Sequence, residues 1–531
     1  FGTVIETVRD TTDDDEDEDL TETLATFTYD QGLINRGAIT GNGLNVGYDA
    51  TALRIEGAAS GAFSTEIVGG ILSTGIIGAT AFEADATAVD LRDGAIIGSL
   101  TNTGRISALT ETVGGDSAIA VLIGTGADLT SLTNSGTIRA DTDGETGNAY
   151  AIRDLAGGLN SIVNLGTIAA VQTDNGVGSD LTGVAMALDL SNSLTDITVL
   201  QQRETPVEDT NDDDVVDSGD VATPALVGDI LFGAGNDTFT VLDGSVFGDT
   251  SFGLGDAVMD LSSATYEGDI TFSSGTNALS MTSVTLTGNV SFGGTSSTFD
   301  LTGSTFEGQL ISAGALDSLT AVNSDLMLST DTSATLNRLS ITGNSVLQVE
   351  LDPNAIDRTA SLTVTDTATI GDGVFIRPDL QAISSTDFTH TFIDAGLLSF
   401  DGELDAASVQ DAPFIYSVEL ILTDDTRDTL DLAFSLKTAE ELGLDLNQSA
   451  AYAAVLDVFS ADTDLGAALA DITEEAEFLQ VYDLLLPQRT DAATRYLSSQ
   501  GNAVFGALGN RLKTLSRTGE RNMGIWAQEY G

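Results

Sequence analysis

The chain has 531 residues, a formal net charge of −62, 57 glycines, 6 prolines and no cysteine, and 41% of it is hydrophobic. So acidic a surface repels phosphate backbones and anionic lipid, which excludes a nucleic-acid binder and favours divalent cations. Glycine without a period of three excludes collagen, and the apolar content excludes wholesale disorder. The lack of cysteine fits a long exported chain that crosses a pore unfolded, where a premature disulfide would obstruct passage.

Residues 1–32 form an acidic N-terminal segment around Asp13 to Asp19 (DDDEDED), read as a solvated loop or frayed end. The chain begins at Phe1 and carries no secretory leader or apolar span, so it is read as a mature or partial product. From 33 to 200 a loose repeat of about thirty residues is marked by Asn-x-Gly-x-Ile runs. These are INRGAI, TNTGRI, TNSGTI and VNLGTI, with asparagines at 35, 102, 134 and 164, and a degenerate LSTGII at Ser73. Asparagine followed by glycine is read as a corner needing φ > 0, with asparagine side chains laddering between coils. Residues 201–227 are an acidic insertion, read as a hinge between two solenoid sections.

From 228 to 330 the period is twenty: GDILFGAGNDTFTVLDGSVF, GDTSFGLGDAVMDLSSATYE, GDITFSSGTNALSMTSVTLT, GNVSFGGTSSTFDLTGSTFE and a weaker fifth copy. One aligned column reads Phe232, Phe252, Phe272, Phe292; others read Phe239, Met259, Leu279, Phe299 and Val246, Tyr266, Leu286, Phe306. Large residues alternate with polar ones, the period of a strand, and twenty residues suit one turn of a stacked solenoid. Residues 331–437 still read as strands but without a fixed period, as a β-rich cap. From Thr438 the period becomes helical: Thr438 and Glu441 form a capping-box pattern, Tyr452, Val455, Leu456 and Phe459 share a face, as do Phe478, Val481, Tyr482 and Leu485, and Pro487 ends that helix. A last helix rich in small residues runs from about Thr490 to Ser516. The expected fold is all-β: a right-handed parallel β-helix (solenoid) with a β-rich cap and, over 438–521, a C-terminal helical linker.

The segment LPQRTDAATRYLSSQGNAVFGALGNRLKTLS, followed by GIWAQEYG, resembles the junction between passenger and translocator in autotransporters, the type V secretion proteins of Gram-negative bacteria. The resemblance implies a slim helix inside an outer-membrane barrel, with residues 522–531 starting the barrel wall. Arg495, Arg511, Lys513, Arg517 and Arg521 suit an acidic lumen, and Trp526 and Tyr530 an interfacial aromatic girdle. It further implies that the cap is of the autochaperone kind, that the chain's own translocator barrel is its partner, and that the passenger sits at the cell surface or outer membrane, attached or released.

Asp209, Asn211, Asp213, Val215, Asp217 and Asp220 occupy positions 1, 3, 5, 7, 9 and 12 of one loop. Oxygen ligands at those positions, with a backbone carbonyl at 7, are what Ca²⁺ requires, and the run resembles dockerin-type and EF-hand-like calcium loops. Position 6, usually glycine, is Asp214; the competing reading is a disordered acidic insertion. The run Phe232 to Phe239 resembles one copy of the calcium-binding nonapeptide of β-roll proteins, but recurs at twenty rather than nine, so a plain coil corner is the better reading. Ser117 in GGDSAI and the lone histidine, His390, do not make a triad in this order. The function expected is a non-enzymatic surface protein: an adhesin, or a self-associating envelope or filament element, with a surface glycan or a host or neighbouring cell as ligand. The alternative is a glycan-processing β-helix enzyme, which would place paired carboxylates in a groove on one outer face.

Overall fold

The computed structural model describes residues 2–8, 23–29, 31–58, 63–112, 114–144, 146–174, 181–206, 215–329, 333–354, 360–400, 408–424 and 428–485. Alternation builds its coils. Each twenty-residue copy supplies three short strands, as in Asp229–Leu231, Thr238–Val241 and Gly244–Phe247. Within them large residues turn inward and small polar ones outward. Each strand pairs in parallel with its counterpart in the next coil: Phe252 on Phe272 on Phe292, Met259 on Leu279 on Phe299, and Tyr266 on Leu286 on Phe306. All of these side chains are buried. The rings of Phe232, Phe252, Phe272 and Phe292 stack with centroids 4.7, 4.9 and 5.1 Å apart. Burying one phenylalanine contributes roughly 1.5–3 kcal/mol, so this column is a large part of the local stability.

The third strands of successive coils form a 13-stranded, wholly parallel sheet from Ala38–Asn42 to Phe375–Leu380. The other two ladders belong to one 26-stranded sheet, because Leu310–Val322, Ser333–Thr342, Leu362–Ile370 and Phe388–Phe400 run through a corner that earlier coils break. The chain is a parallel β-helix. Its stack continues well past residue 330, with Leu339 on Ala368 on Leu398; the period fades because extra chain is spliced in at corners, as at 352–361. Only then does the direction reverse: Asp428–Leu436 pairs antiparallel with Phe388–Phe400 on one side and with Tyr416–Asp424 on the other. Near the N-terminus, Gly2–Val8 and Thr23–Tyr29 pair antiparallel on either side of the acidic run, which lies outside the described residues.

The insertion at 201–227 is an excursion from a corner, not a hinge. Ladders cross it unbroken: Leu188 pairs with Ile230, Val199 with Phe239, and Leu226 with both Ile168 and Val246. Helices α1 (Leu446–Ala461), α2 (Thr463–Ala470) and α3 (Glu475–Leu485) follow the hairpin. The Phe478 ring lies 5.4 Å from Phe414, and Tyr482 Oη donates to the Gln448 carbonyl at 3.1 Å. Thr438 and Glu441 do bond reciprocally, but they close a turn that ends at Gly443 (φ +69°). The box that starts α1 is Asp445 with Gln448. The last helix and the GIWAQEYG strand read from sequence lie outside the described residues.

Inside the first coils runs a column of amides. Asn102 Nδ2 donates to Asn134 Oδ1 (2.8 Å), Asn134 Nδ2 to Asn164 Oδ1 (3.0 Å) and Asn164 Nδ2 to Gln201 Oε1 (2.9 Å), all fully buried. Ser73 holds the same position with a shorter side chain; Asn35 Nδ2 donates to its Oγ, and Asn102 Oδ1 is buried with no partner among the described residues. The glycine two residues after each marker has an ordinary φ, contrary to the expected left-handed corner. What it supplies is room. A Cβ on Gly104, Gly136 or Gly166 would land on the carbonyl oxygen of Gly75, Gly104 or Gly136 in the preceding coil.

Ser73→Asn completes the ladder and is expected to stabilise the fold by about 1 kcal/mol, whereas Asn134→Leu strands buried amide groups and costs about 2–3 kcal/mol. Gly136→Ala is expected to destabilise several-fold more than Gly37→Ala, where a Cβ meets nothing within 4 Å. Urea midpoints at constant slope check all four.

Candidate functional site

The acidic insertion returns to the solenoid through a short turn that its own side chains hold. Asp217 Oδ1 accepts from Gly219 N at 2.7 Å, and Asp220 Oδ2 accepts from Asp217 N at 3.0 Å, bracketing the single 3₁₀ turn Ser218–Asp220. Arg203 secures this turn to the rod: Nη1 donates to the Ser218 carbonyl (2.9 Å), while Nε and Nη2 grip Asp243 Oδ2 and Oδ1 at 2.9 and 3.1 Å. That two-point grip on a carboxylate is the strong geometry for arginine. Of the six loop positions predicted to ligate Ca²⁺, Val215, Asp217 and Asp220 fall in this segment. Asp209, Asn211 and Asp213 lie outside the described residues. Among the described residues no three acidic or histidine side chains converge as a metal site. Asp217 and Asp220 each have one carboxylate oxygen bonded to a backbone amide.

A second feature is spread along the whole twenty-residue section. Asp229 Oδ1 accepts the backbone N–H of Asp249, Asp249 that of Asp269, Asp269 that of Asn289 and Asn289 that of Gln309, at 3.0, 2.8, 2.7 and 2.9 Å. A parallel series joins Asp196 to Asn236, Asn236 to Asp256 and Asp256 to Thr276, at 2.8, 2.9 and 2.7 Å. Each carboxylate or amide therefore bonds its own coil to the next. The sequence carries the signal in the Gly-Asp or Gly-Asn that opens each copy, at 228–229, 248–249, 268–269 and 288–289. Stacking like charges has an electrostatic consequence. Partial burial, assisted by the neighbouring Asp249 charge and opposed by the amide bond, raises the Asp229 carboxyl above the usual aspartate range. Tyr266, buried beneath this column and donating to Thr250 Oγ1 at 2.7 Å, is raised by burial and by the charges of Asp249, Asp229 and Asp269.

The run Phe232 to Phe239 is a coil corner of this kind. Asp237 Oδ1 accepts from Ile197 N at 2.9 Å, and Asn236 is part of the second series. Ser117 opens the strand Ser117–Ile123, its amide donating to Asp85 Oδ1; His390 Nε2 instead meets Ser361 Oγ at 3.4 Å. The structure brings Ser117 and His390 into no shared site.

A carboxyl whose folded-state pKa is raised binds its proton more tightly folded than unfolded, so its contribution to stability is full at low pH and is lost as pH rises through the folded value. The melting temperature is therefore expected to rise as the pH falls from neutrality into the range just above the ordinary aspartate pKa. Asp229→Asn keeps the acceptor, as Asn289 does naturally; it is expected to raise the melting temperature at pH 7 and to flatten that pH dependence, both read by differential scanning calorimetry. No protein-family model, curated protein or solved structure matches this chain.

Proposed function

We propose that this chain is a non-enzymatic rod displayed at the surface of a Gram-negative cell, exported by the autotransporter route and working as an adhesin or self-associating envelope element. The observation that carries the reading is the repetition of its outer chemistry. Asp229, Asp249 and Asp269 recur at each coil and serve as inter-coil braces, an arrangement that presents one motif many times along a rod. Repetition of this kind suits multivalent contact, where many weak engagements add through effective concentration, better than a single reaction centre. The passenger–translocator resemblance at 486–531 supports the export route. The carboxylates of these columns bond amides across coils and so have a structural use that asks for no catalytic one.

In this reading Ca²⁺ orders the 209–220 loop at the flank of the rod, with Asp209, Asn211, Asp213, Asp217 and Asp220 as side-chain ligands and Val215 through its carbonyl. Millimolar CaCl₂ is then expected to stabilise the fold by about 2.7 kcal/mol at a hundredfold excess over Kd, seen as a higher melting temperature that EDTA reverses. The double variant Asp217→Asn, Asp220→Asn keeps the turn's acceptors but removes the charge, and is expected to lose that response; a melt indifferent to EDTA counts against the metal. Display is tested separately. Produced with a translocator barrel in a Gram-negative host, the chain is expected to be removed from intact cells by added protease, and periplasmic retention would overturn the export route.

A further inference from the structure

The outer strand of the hairpin that follows the coils, Tyr416–Asp424, has one open edge among the described residues. It pairs through all nine residues with Asp428–Leu436, with no bulge or shift in register, and no strand lies on its other side among the described residues. Its sequence, YSVELILTD, contains no proline and no lysine, the residues with which edge strands usually deter further pairing. Two large apolar side chains stand exposed on it, Ile421 at 37% and Leu422 at 52%. A long, regular, apolar edge of this kind is a template for another strand.

The sequence of the edge indicates which strand. Laid antiparallel against itself about a twofold axis through Leu420, it sets Leu420 opposite Leu420, Val418 opposite Leu422, Glu419 opposite Ile421 and Ser417 opposite Thr423. Apolar meets apolar on one face, hydroxyl meets hydroxyl, and no like charges are opposed. Each Glu419 lies diagonal to its mate, about 7–8 Å away in an antiparallel pair. In a chain carrying −62, a nine-residue edge that avoids any direct carboxylate–carboxylate pair is well matched to a second copy of itself.

We infer that two copies of this chain join at their capped ends, by antiparallel pairing of Tyr416–Asp424 across a twofold axis. This is an isologous contact, closed after two copies, so it gives dimers rather than open fibres. It places the self-association proposed above at a named strand, while the export and calcium readings stand or fall by their own tests.

The register makes the test specific. Sedimentation equilibrium of the full chain is expected to show a monomer–dimer equilibrium that tightens with added NaCl, as screening weakens the repulsion between two acidic rods. Ile421→Glu sets carboxylates opposite Glu419 twice per dimer and is expected to weaken it about tenfold; Ile421→Lys sets ammonium groups there and is expected to tighten it several-fold. Ile421 also faces Asp431 across its own hairpin, so melting curves of both variants at monomer concentration separate any effect on folding from the effect on pairing. The chain has no cysteine, which allows a direct check. Leu420→Cys is expected to give a disulfide-linked dimer on mild oxidation, and Glu419→Cys, offset from its mate, is not. A chain that stays monomeric, equal responses to the two Ile421 substitutions, or equal crosslinking at 419 and 420 overturns the proposal.

Discussion

Parallel strand pairing holds each coil about 4.8 Å above the next, so the strand residues of one coil sit on their counterparts in the next. Everything else follows from what each residue type does when it is stacked on its like. Phenylalanine rings separated by 4.7–5.1 Å fill a column with no gap. Asparagine amides donate to the next and accept from the last, and such chains of bonds polarise one another. Glycine on glycine lets one backbone approach another where any side chain would collide. Aspartate is the awkward member, because like charges in register repel; the fold answers by giving one carboxylate oxygen to the amide of the following coil. A column that would force the coils apart becomes one that ties them together.

The parts of this legible in the sequence are those whose signal lies within one copy. The inward columns of Phe252, Met259 and Tyr266 could be read from alternation and a fixed period, because core position depends on the residue and its near neighbours. The need for Gly136 could not, since it arises from a carbonyl thirty-two residues earlier in the chain, which local turn chemistry does not see. The continuation of coils to Phe400 was hidden for a related reason. A corner excursion changes the spacing between repeats without changing the ladder, and a reading by period takes the excursion for an end. The candidate calcium loop shows the opposite limit. Its ligand spacing is plain in the sequence, yet spacing does not reveal that Asp217 and Asp220 also brace a turn through backbone amides.

The exterior is organised against its own charge. Among the described residues seven arginines form ion pairs, several of them between coils: Arg54 with Asp90, Arg153 with Asp189, Arg203 with Asp243. Asp90 is almost fully buried and takes Nε–H bonds from both Arg54 and Arg92 at 2.9 Å. Pairs with the arginine partly in water add little to global stability individually. The value of the pairs between coils is positional: each is satisfied only in one register, so a coil that slips loses its partner. An acidic rod with few cations has used them where neighbouring coils must be kept aligned.

The unbroken ladder past 201–227 has a consequence for how such a molecule changes over generations. Because the core asks of each turn only that its inward residues meet their counterparts, the length of the rod is set by the number of turns, and each additional twenty residues extends it by about 4.8 Å. Duplicating or deleting one whole repeat alters reach while leaving every surviving layer intact, and a corner accepts new sequence without disturbing either. Length and loop content can therefore drift separately, one by counting and the other by substitution.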